Sequence, residues 1–449
     1  MMFPPSFVDS LIHALGQPLA QETLDAIQTP APVSVRVNPN KNMPFEKQGF
    51  ENVPWCSSGI YLLERPRFSA DPFLHLGFYY VQEASSMIVG EIVKDLLSNN
   101  ESLVLDLCAA PGGKSTHIAS ILKANDVLVS NEVISNRAPI LEENLSKWGC
   151  ANHMATRADS EFWGRSGLFF DVVVADLPCS GEGMFRKDSE AIKQWSPANV
   201  ELCAQRQRRI VSEVWKAVKP GGFLVYSTCT LNRTENEENL LLLKSLPGFN
   251  PVPIKTAGLS SFVETEPNMY RALPGKVKGE GFFVAVIQKQ GADENKQTIS
   301  KNRSFTIVEN DGLWPSDIVA FQKDEEVYAS RGDRDLFFKT LKQLPGSYSP
   351  GVCIGKLIRN VFKPNARLAL IQGIEKCRWP AYNLSDSEVM AYLRRDTLHN
   401  PEGVSETVLA HWNNHAVGFL SPNKNRWNNL WPMEWRLRLD APEPACCFA

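Results

Sequence analysis

The chain has 449 residues and a formal net charge of −3, with 43% hydrophobic and 22% charged residues. This length predicts about three domains, and the composition excludes a mainly disordered chain, a collagen-like repeat and a small disulfide-stabilised domain. Taken alone, the slight negative charge argues against a partner as acidic as nucleic acid.

The charge is unevenly distributed along the chain. Residues 301–449 carry a net charge of +2, whereas residues 1–300 carry −5. Charge alone favours a solvated face for the basic stretch within 341–380, although a local basic surface also binds phosphates on a slightly acidic protein. Besides the single acid Glu375, this stretch contains seven basic residues: Lys342, Lys356, Arg359, Lys363, Arg367, Lys376 and Arg378.

The ten cysteines show no sign of a disulfide framework. The N-terminus lacks the basic and apolar regions of a secretory signal, and no apolar run approaches the roughly 18 residues that span a bilayer. No C-x-x-C pair indicates zinc or a redox motif, so no metal is expected. We therefore expect a cytoplasmic protein with reduced thiols and no membrane partner. Cys446 and Cys447 fall in what we expect to be a loose tail, and no role is assigned to them.

Segments of different character flank a central region. Residues 1–95 mix a short helical start with proline-rich segments, and residues 291–304 form a polar, loop-like linker. The remaining residues include four tryptophans between 412 and 435. Basic residues among aromatic ones suit phosphate contacts combined with base stacking. The alternative is that these tryptophans fill a small core.

From about residue 100 to 290, short apolar runs alternate with longer helical stretches. This alternation predicts βαβ units and a parallel, doubly wound α/β sheet. One helical stretch is predicted over 201–222, because Leu202, Ile210, Val214 and Val218 occur at helical spacing. The predicted strands are 102–107, 127–132, 169–176, 223–228 and 282–288.

The first of these strands ends at Asp106 and continues into CAAPGGKSTHIASIL, where small residues allow the backbone to approach a ligand. This loop is neither the dinucleotide G-x-G-x-x-G pattern nor a phosphate-binding Walker A loop. Glu132 ends the second strand and is suited to accept both ribose hydroxyls, while Asp159 follows a third strand and suits an adenine amine. Any one of these acids alone is more typical of a cap or a surface carboxylate. As an ordered set they predict a nucleoside ligand without a long phosphate chain.

Two cysteines follow neighbouring strands. Asp176 and Cys179 come at the end of the fourth strand and Cys229 at the end of the fifth, and the carboxyl ends of strands line the ligand crevice of open α/β sheets. A thiolate that adds to carbon 6 of a pyrimidine makes carbon 5 able to attack a methyl group. An acid that contacts ring nitrogen 3 withdraws electrons as this adduct forms, and Asp176 suits that position. Cys108, Cys150 and Cys203 are interpreted as packing residues.

These motifs together resemble the Nop/Sun family of S-adenosylmethionine-dependent RNA cytosine-5 methyltransferases. The resemblance implies a Rossmann-like class I methyltransferase core with a mostly parallel seven-stranded sheet. It implies that Cys229 is the nucleophile, that Cys179 assists product release and that Asp176 contacts the base. Arg137 and Lys187 are expected in supporting roles. The motifs are SVRVNPN (34–40), YYVQEASSM (79–87), AAPGGKS (109–115), DLPCSGEG (176–183) and YSTCTLNRTENE (226–237). The implied cofactor contacts are Cys108, Ala109, Ala110, Pro111, Gly112, Gly113, Lys114, Glu132, Asp159 and Asp176.

The C-terminal region is similar to that of the bacterial small-subunit rRNA members, which end in a PUA-like RNA-binding domain. We therefore expect structured RNA as the substrate, namely 16S rRNA, free or in the 30S subunit, with tRNA as the alternative and no obligate protein partner. Two alternatives belong to other functional classes. The first is a DNA cytosine methyltransferase, which would place its nucleophile in the Pro-Cys motif. The second is a non-catalytic RNA-binding protein, which would not bind S-adenosylmethionine. The expected domains are an RNA-binding segment (1–95), the methyltransferase core (96–290), a linker with a basic intermediate region (291–370) and a PUA-like domain (371–449).

Overall fold

The computed structural model describes residues 3–43, 49–98, 100–291, 305–331, 334–346, 348–400, 403–439 and 443–448. The polar linker predicted over 291–304 lies outside these residues except for Gly291. Within the described ranges, every helix is too short or too polar to cross a membrane.

The N-terminal unit is a small four-stranded sheet with helices before and after it. Its strands are antiparallel and follow the order β2-β3-β1-β4. Its elements are α1 (Pro5–Leu15), α2 (Gln17–Ile27), β1 (Val33–Val37), β2 (Glu51–Val53), β3 (Cys56–Leu62), α3 (Pro72–His75), β4 (Tyr79–Val81) and α4 (Ile88–Leu96).

The second unit alternates strands and helices, as the sequence predicts. Its elements are β5 (Leu103–Asp106), α5 (Gly113–Ile121), β6 (Val127–Asn131), α6 (Ala138–Trp148), β7 (His153–Thr156), α7 (Ser160–Arg165), β8 (Phe170–Asp176), α8 (Ser189–Gln194), α9 (Pro197–Val214), β9 (Val218–Thr228), α10 (Glu237–Leu243), β10 (Phe249–Val252), β11 (Val263–Glu266), β12 (Met269–Ala272) and β13 (Phe282–Lys289).

The last two units are largely antiparallel sheets. Their elements are β14 (Thr306–Val308), β15 (Ile318–Lys323), β16 (Glu326–Arg331), α11 (Arg334–Leu341), β17 (Tyr348–Ser349), β18 (Val352–Ile358), β19 (Val361–Pro364), α12 (Ala366–Ala369), β20 (Ala381–Asn383), α13 (Asp386–Arg394), β21 (Leu398–His399), β22 (Val408–Trp412), β23 (His415–Asn423) and β24 (Arg426–Asn429).

The central sheet has a parallel middle and antiparallel edges. Its described strands follow the order β11-β12-β13-β9-β8-β5-β6-β7-β17, with β10 paired to β13. The five strands from β9 to β7 are parallel, whereas β13 runs antiparallel to β9. Both faces are covered, so the middle strands are apolar along nearly their whole length. The order of the parallel strands reverses between β5 and β8, and this reversal opens a crevice at their carboxyl ends.

The helix predicted over 201–222 is wrong at its C-terminal end. Helix α9 ends at Val214, a short 3-10 turn follows, and strand β9 begins at Val218. Val218 pairs with Phe170 of β8, and its side chain is fully buried. The apolar spacing that predicted a helix therefore extends into residues that form a strand. These residues form a strand because pairing with β8 outweighs their local helix propensity.

The region predicted as linker and basic intermediate contains a five-stranded antiparallel sheet in the order β14-β15-β16-β18-β19. The C-terminal unit contains a second five-stranded sheet, in the order β20-β22-β23-β24-β21. Its four tryptophans, Trp412, Trp427, Trp431 and Trp435, are all buried and fill the core shared with the N-terminal unit. Of the two interpretations of these tryptophans, base stacking and core packing, the structure supports core packing.

The expectation of a loose C-terminal tail is wrong for the described residues. The backbone N–H of Cys447 donates to Asp71, and its sulfur lies 3.1 Å from the Tyr79 hydroxyl. Phe448 is buried with its ring against that of Tyr79. This segment therefore packs on the N-terminal unit, because an aromatic ring gains more from burial there than from solvent.

Candidate active site

Two free thiols face each other at the carboxyl ends of neighbouring central strands. Cys179 follows β8 and Cys229 follows β9, and their Sγ atoms are 3.2 Å apart. Both side chains are half-buried. Strands β8 and β9 are parallel and in register up to Asp176 and Ser227, so the loops that leave them begin side by side. The structure thus brings together the two cysteines that the sequence analysis singled out.

The two thiols are not equivalent. Their hydrogen bond, together with burial, raises the pKa of the Cys179 thiol well above its ordinary value. Either sulfur can donate to the other across this contact. The raised pKa keeps the Cys179 thiol protonated near neutral pH, so Cys179 is able to donate a hydrogen bond to the sulfur beside it.

A buried carboxylate ties the two cysteine loops together. Glu235 accepts hydrogen bonds from the backbone N–H of Ser180 (3.0 Å), from Asn232 (2.9 Å) and from Gln207 (2.8 Å). Burial raises the pKa of Glu235. Gln207 also donates to the carbonyl of Pro178, next to Cys179. Glu235 therefore fixes the position of the Cys179 loop against the loop that carries Cys229.

A second carboxylate repeats this arrangement on the far side of the loops. Glu182 accepts from the backbone N–H of Leu231 at 2.7 Å and from Asn232 at 3.0 Å. It also accepts from the indole N–H of Trp195, whose ring packs against Phe7 of helix α1. The N-terminal helices therefore support the thiol pair through packing. Glu182 and Glu235 were both missed in the sequence analysis, although they lie within the quoted motifs.

Asp176 lies beside the thiols in a small polar network. Its carboxylate accepts from the ammonium of Lys114 (2.6 Å) and from the hydroxyl of Ser227 (2.8 Å). Burial alone would lower the pKa of Lys114, but the charge and hydrogen bond of Asp176 raise it above its ordinary value. Lys114 is therefore a charged side chain held next to the thiol pair, in contact with Asp176.

The loop after β5 has the shape expected of a ligand cradle. Gly112 has φ +117°, a conformation that side-chain-bearing residues rarely adopt, and α5 begins at the next residue. Asn131 contributes a backbone carbonyl to Ala109 and side-chain hydrogen bonds to Leu107 and Ala158. Asn131 therefore joins the loops after β5, β6 and β7, a role that the sequence analysis missed.

Two acids beside this loop have carboxylate oxygens without a hydrogen-bond donor among the described residues. Asp106 accepts from the hydroxyl of Ser115 at 2.6 Å through one oxygen, and its other oxygen is buried and unpartnered. Glu132 accepts from the backbone N–H of Ile134, while its other oxygen faces Arg137 at 3.5 Å without a hydrogen bond. Burial raises the pKa of Asp106 to about 7. Such buried acceptors suit a ligand that carries hydroxyl or amino donors.

The other expected contacts occupy different environments. Burial and the charge of Asp176 raise the pKa of Cys108, so this thiol stays protonated beside the cradle. Pro111 is exposed, and its carbonyl accepts from Asn144. Asp159 is exposed and caps α7 by accepting from the backbone N–H of Phe162. Lys187 lies 3.3 Å from the buried Glu280.

Comparisons with known proteins agree with this architecture. Residues 94–288 match the family model described as 16S rRNA methyltransferase RsmB/F. Residues 3–84 match the N-terminal domain of 16S rRNA methyltransferase RsmF, and residues 380–437 match the methyltransferase RsmF PUA domain.

Curated relatives and solved structures point the same way. The chain is 35% identical over 327 residues to ribosomal RNA small subunit methyltransferase F of Photobacterium profundum, covering 68% of each chain. It is 36% identical to the protein of that name from Escherichia coli O81, covering 65% of this chain and 64% of the relative. A methyltransferase homologue from Pyrococcus horikoshii superimposes with a TM-score of 0.54 at 28% identity, over 64% of this chain and 95% of that one. NSun6 from the same organism, solved with SFG, shares the fold at 20% identity and a TM-score of 0.54, over 65% of this chain and 99% of that one.

Proposed function

The chain belongs to the 16S rRNA methyltransferase RsmB/F family, and from this premise we propose that it transfers a methyl group from S-adenosylmethionine to carbon 5 of a cytosine in 16S rRNA. The observation that carries the proposal is the pair of unequal thiols, Cys179 and Cys229, 3.2 Å apart beside Asp176. A thiolate is the nucleophile that cytosine-5 chemistry requires, and methyl transfer to a nitrogen or a hydroxyl oxygen needs no such group.

The cradle after β5 fits S-adenosylmethionine. The unpartnered oxygen of Glu132 is suited to the ribose hydroxyls, and that of Asp106 to the amino group of the methionine part. The backbone from Cys108 to Lys114 would line the ligand, with Ala109, Ala110 and the two glycines leaving room for it. The exposed carboxylate of Asp159 is assigned to the adenine amine. When bound, the cofactor supplies an electrophilic methyl group.

Cys229 performs the covalent step. Its thiolate adds to carbon 6 of the cytosine, and the sulfur–carbon bond leaves carbon 5 electron-rich. Asp176 is assigned to the ring edge at nitrogen 3, and the Lys114 ammonium that it holds stabilises the negative charge that the ring gains as the adduct forms. Carbon 5 then takes the methyl group, and the electron pair of the broken methyl–sulfur bond stays on the departing sulfur.

Release of the product reverses the addition. The carbon 5 proton leaves to water, its electron pair re-forms the carbon 5–carbon 6 double bond, and the sulfur of Cys229 departs. The thiol of Cys179 donates to that sulfur and so stabilises it as a leaving thiolate. We therefore assign nucleophilic attack to Cys229 and assistance with release to Cys179.

The RNA contact is assigned in part to the hairpin Val352–Pro364, here called the basic hairpin. Lys356 and Lys363 are exposed and directly opposite each other on β18 and β19, and Arg359 is exposed at the turn. Like charges that face each other across a strand pair destabilise a hairpin. The placement of Lys356 opposite Lys363 is therefore better explained by binding to a polyanionic partner than by a contribution to folding stability. The exposed side chains of Ile358 and Val361 add an apolar surface suited to unpaired bases.

The test is methyl transfer from labelled S-adenosylmethionine to four substrates: free 16S rRNA, 30S subunits, tRNA, and DNA of the 16S sequence. We expect label in 16S rRNA, free or assembled, and a cytosine that resists bisulfite conversion at the labelled position. Cys229→Ala is the control and should transfer no methyl group. Label in tRNA alone would support the tRNA alternative, label in DNA would contradict the RNA assignment, and a product other than 5-methylcytosine would overturn the chemistry.

A further inference from the structure

Three side chains that bind transition metals converge away from the thiol pair, and we propose that Cys56, Glu91 and His117 form a zinc-binding site. Cys56 begins β3, Glu91 lies on α4 and His117 lies on α5. Each offers one ligand atom, and the three atoms lie within 4.8 Å of one another. Because these residues come from distant segments, no C-x-x-C or similar spacing marks them in the sequence.

The distances suit tetrahedral zinc. The Sγ of Cys56 is 3.9 Å from Nε2 of His117, and that nitrogen is 3.5 Å from the nearer oxygen of Glu91. Zinc bond lengths of about 2.0–2.3 Å imply separations of about 3.6 Å for sulfur and nitrogen and about 3.4 Å for nitrogen and oxygen. The distance from Cys56 to His117 and the distance from His117 to Glu91 therefore need to change by only a few tenths of an ångström. The Glu91 side chain, 14% exposed, leaves access for a fourth ligand such as water.

The chemistry of the set selects zinc over magnesium or calcium, which prefer ligands made of oxygen alone. His117 is buried, and its Nε2 faces both the sulfur of Cys56 and the carboxylate of Glu91. Zinc would displace the proton of the Cys56 thiol, and the thiolate and the Glu91 carboxylate would balance the two charges of the metal. Apart from one released proton, no other reactant is needed.

The surroundings hold the imidazole in place. A Cβ added at Gly90 would lie 2.1 Å from Nδ1 of His117, so only glycine at this position of α4 leaves room for the ring. The same Nδ1 is buried and has no acceptor among the described residues. A ligating histidine normally donates this second N–H, and a missing partner costs about 10- to 100-fold in metal affinity. We therefore infer a site weaker than closed structural zinc sites.

The site would join the N-terminal unit to the methyltransferase core. Helix α5 begins at Gly113, in the loop assigned to the cofactor, and Arg36 of β1 already donates to Gly113 and Thr116 on that helix. A metal shared by β3, α4 and α5 adds a second link between the same two units. Zinc is thus expected to stabilise the chain without taking part in methyl transfer.

The test is zinc binding by the full chain in a Cys179→Ser/Cys229→Ser background, which removes the other thiol pair. Protein stripped with a chelator is titrated with zinc, and bound metal and the midpoint of thermal unfolding are both measured. We expect one equivalent of zinc and a higher midpoint. Cys56→Ser and His117→Gln should lose that equivalent, and Glu91→Gln should bind at least tenfold more weakly.

Cys203→Ser is the matched control, because Cys203 is a buried cysteine outside the cluster. It should keep the full equivalent of zinc. Circular dichroism of the metal-free variants establishes that each one folds, so that lost binding reports on the ligands. The proposal is overturned if the parent protein binds no zinc, or if Cys56→Ser binds as tightly as Cys203→Ser.

Discussion

The Sγ atom of Cys179 lies 3.2 Å from that of Cys229, close enough for one thiol to donate to the other. This hydrogen bond and burial raise the pKa of the Cys179 thiol well above its ordinary value, so Cys179 stays protonated near neutral pH. The two residues are brought together by parallel pairing of β8 with β9 and held there by Glu235 and Glu182. The raised pKa of Cys179 leads to the first prediction.

Iodoacetamide near neutral pH should alkylate Cys229 several-fold faster than Cys179, because the raised pKa of Cys179 leaves that residue little of the reactive thiolate. Peptide mass spectrometry over a time course measures both rates. In Cys229→Ala the hydrogen-bond partner is gone, so Cys179 should react faster than it does in the parent protein. Faster modification of Cys179 than of Cys229 in the parent protein would contradict the raised pKa of Cys179.

The separate roles of the cysteines predict different fates for a covalent intermediate. Cys179→Ala should add to RNA and release it slowly, which leaves a protein–RNA band that survives denaturing electrophoresis. Cys229→Ala and the double variant should give no such band. If Cys179→Ala loses activity without accumulating the band, its assignment to product release is wrong.

Glu235 should act by positioning the cysteine loops. Glu235→Gln places an amide among three hydrogen-bond donors, so one donor loses its acceptor, at a cost of about 1–3 kcal/mol of unfolding free energy. We expect kcat to fall about 10-fold or more with little change in KM for S-adenosylmethionine, since the cradle is separate. Glu238→Gln, at a more exposed carboxylate three residues further along the chain in α10, is the control. An equal loss of kcat in Glu235→Gln and Glu238→Gln would contradict a positioning role for Glu235.

Asp106 should make stability depend on pH. Burial raises its pKa from 3.8 to about 7 in the folded chain. Between these values the folded chain retains a proton that the unfolded chain has lost, so the free energy of unfolding falls as pH rises. Asp106→Asn lacks this titration and should gain about 3 kcal/mol relative to the parent protein between pH 4.5 and 7.5.

Urea denaturation at several pH values without cofactor measures this difference. Asp171→Asn, at a half-exposed carboxylate of β8 that is ion-paired with Lys219, is the control for the loss of a carboxylate outside the cradle. A constant difference between the parent protein and Asp106→Asn across this pH range would show that Asp106 is not protonated in the folded state.

The basic hairpin should contribute to RNA affinity through phosphate contacts. Lys356→Ala combined with Lys363→Ala should weaken binding to a 16S fragment and reduce the slope of log K against log salt by about 1–2. Fluorescence anisotropy at several salt concentrations measures both effects. The control is Lys123→Ala with Lys216→Ala, at exposed lysines of the methyltransferase core. Equal slopes in the two double variants would exclude the hairpin from the RNA contact.

Much of the central fold could be predicted from local pattern. The apolar runs that became β5, β6, β8 and β13 are strands close to their predicted bounds, and the loop after β5 leads into a helix as expected. The error at residues 215–222 arose because Val218 fits a helical spacing and a buried strand equally well. Only its pairing with Phe170 distinguishes the two.

Residues that do not have a known catalytic or binding role in a motif could not be assigned from the sequence. Glu182 and Glu235 lie inside quoted motifs, yet nothing local shows that their carboxylates turn inward to bind the loop of the opposite cysteine. The cluster of Cys56, Glu91 and His117 has no sequence signature at all. In each case the partners are far apart in the chain, so their contact depends on how whole elements pack.

The sequence by itself determined the alternating α/β pattern, the nucleoside-type loop after Asp106 and the candidate cysteines, because these depend on residue type and short-range spacing. Only the tertiary structure decided that the sulfurs of Cys179 and Cys229 are 3.2 Å apart, that this contact and burial raise the pKa of Cys179, and that the C-terminal tryptophans fill a core. The physical reason is that distances between segments and burial are set by long-range packing, which no short stretch of sequence encodes.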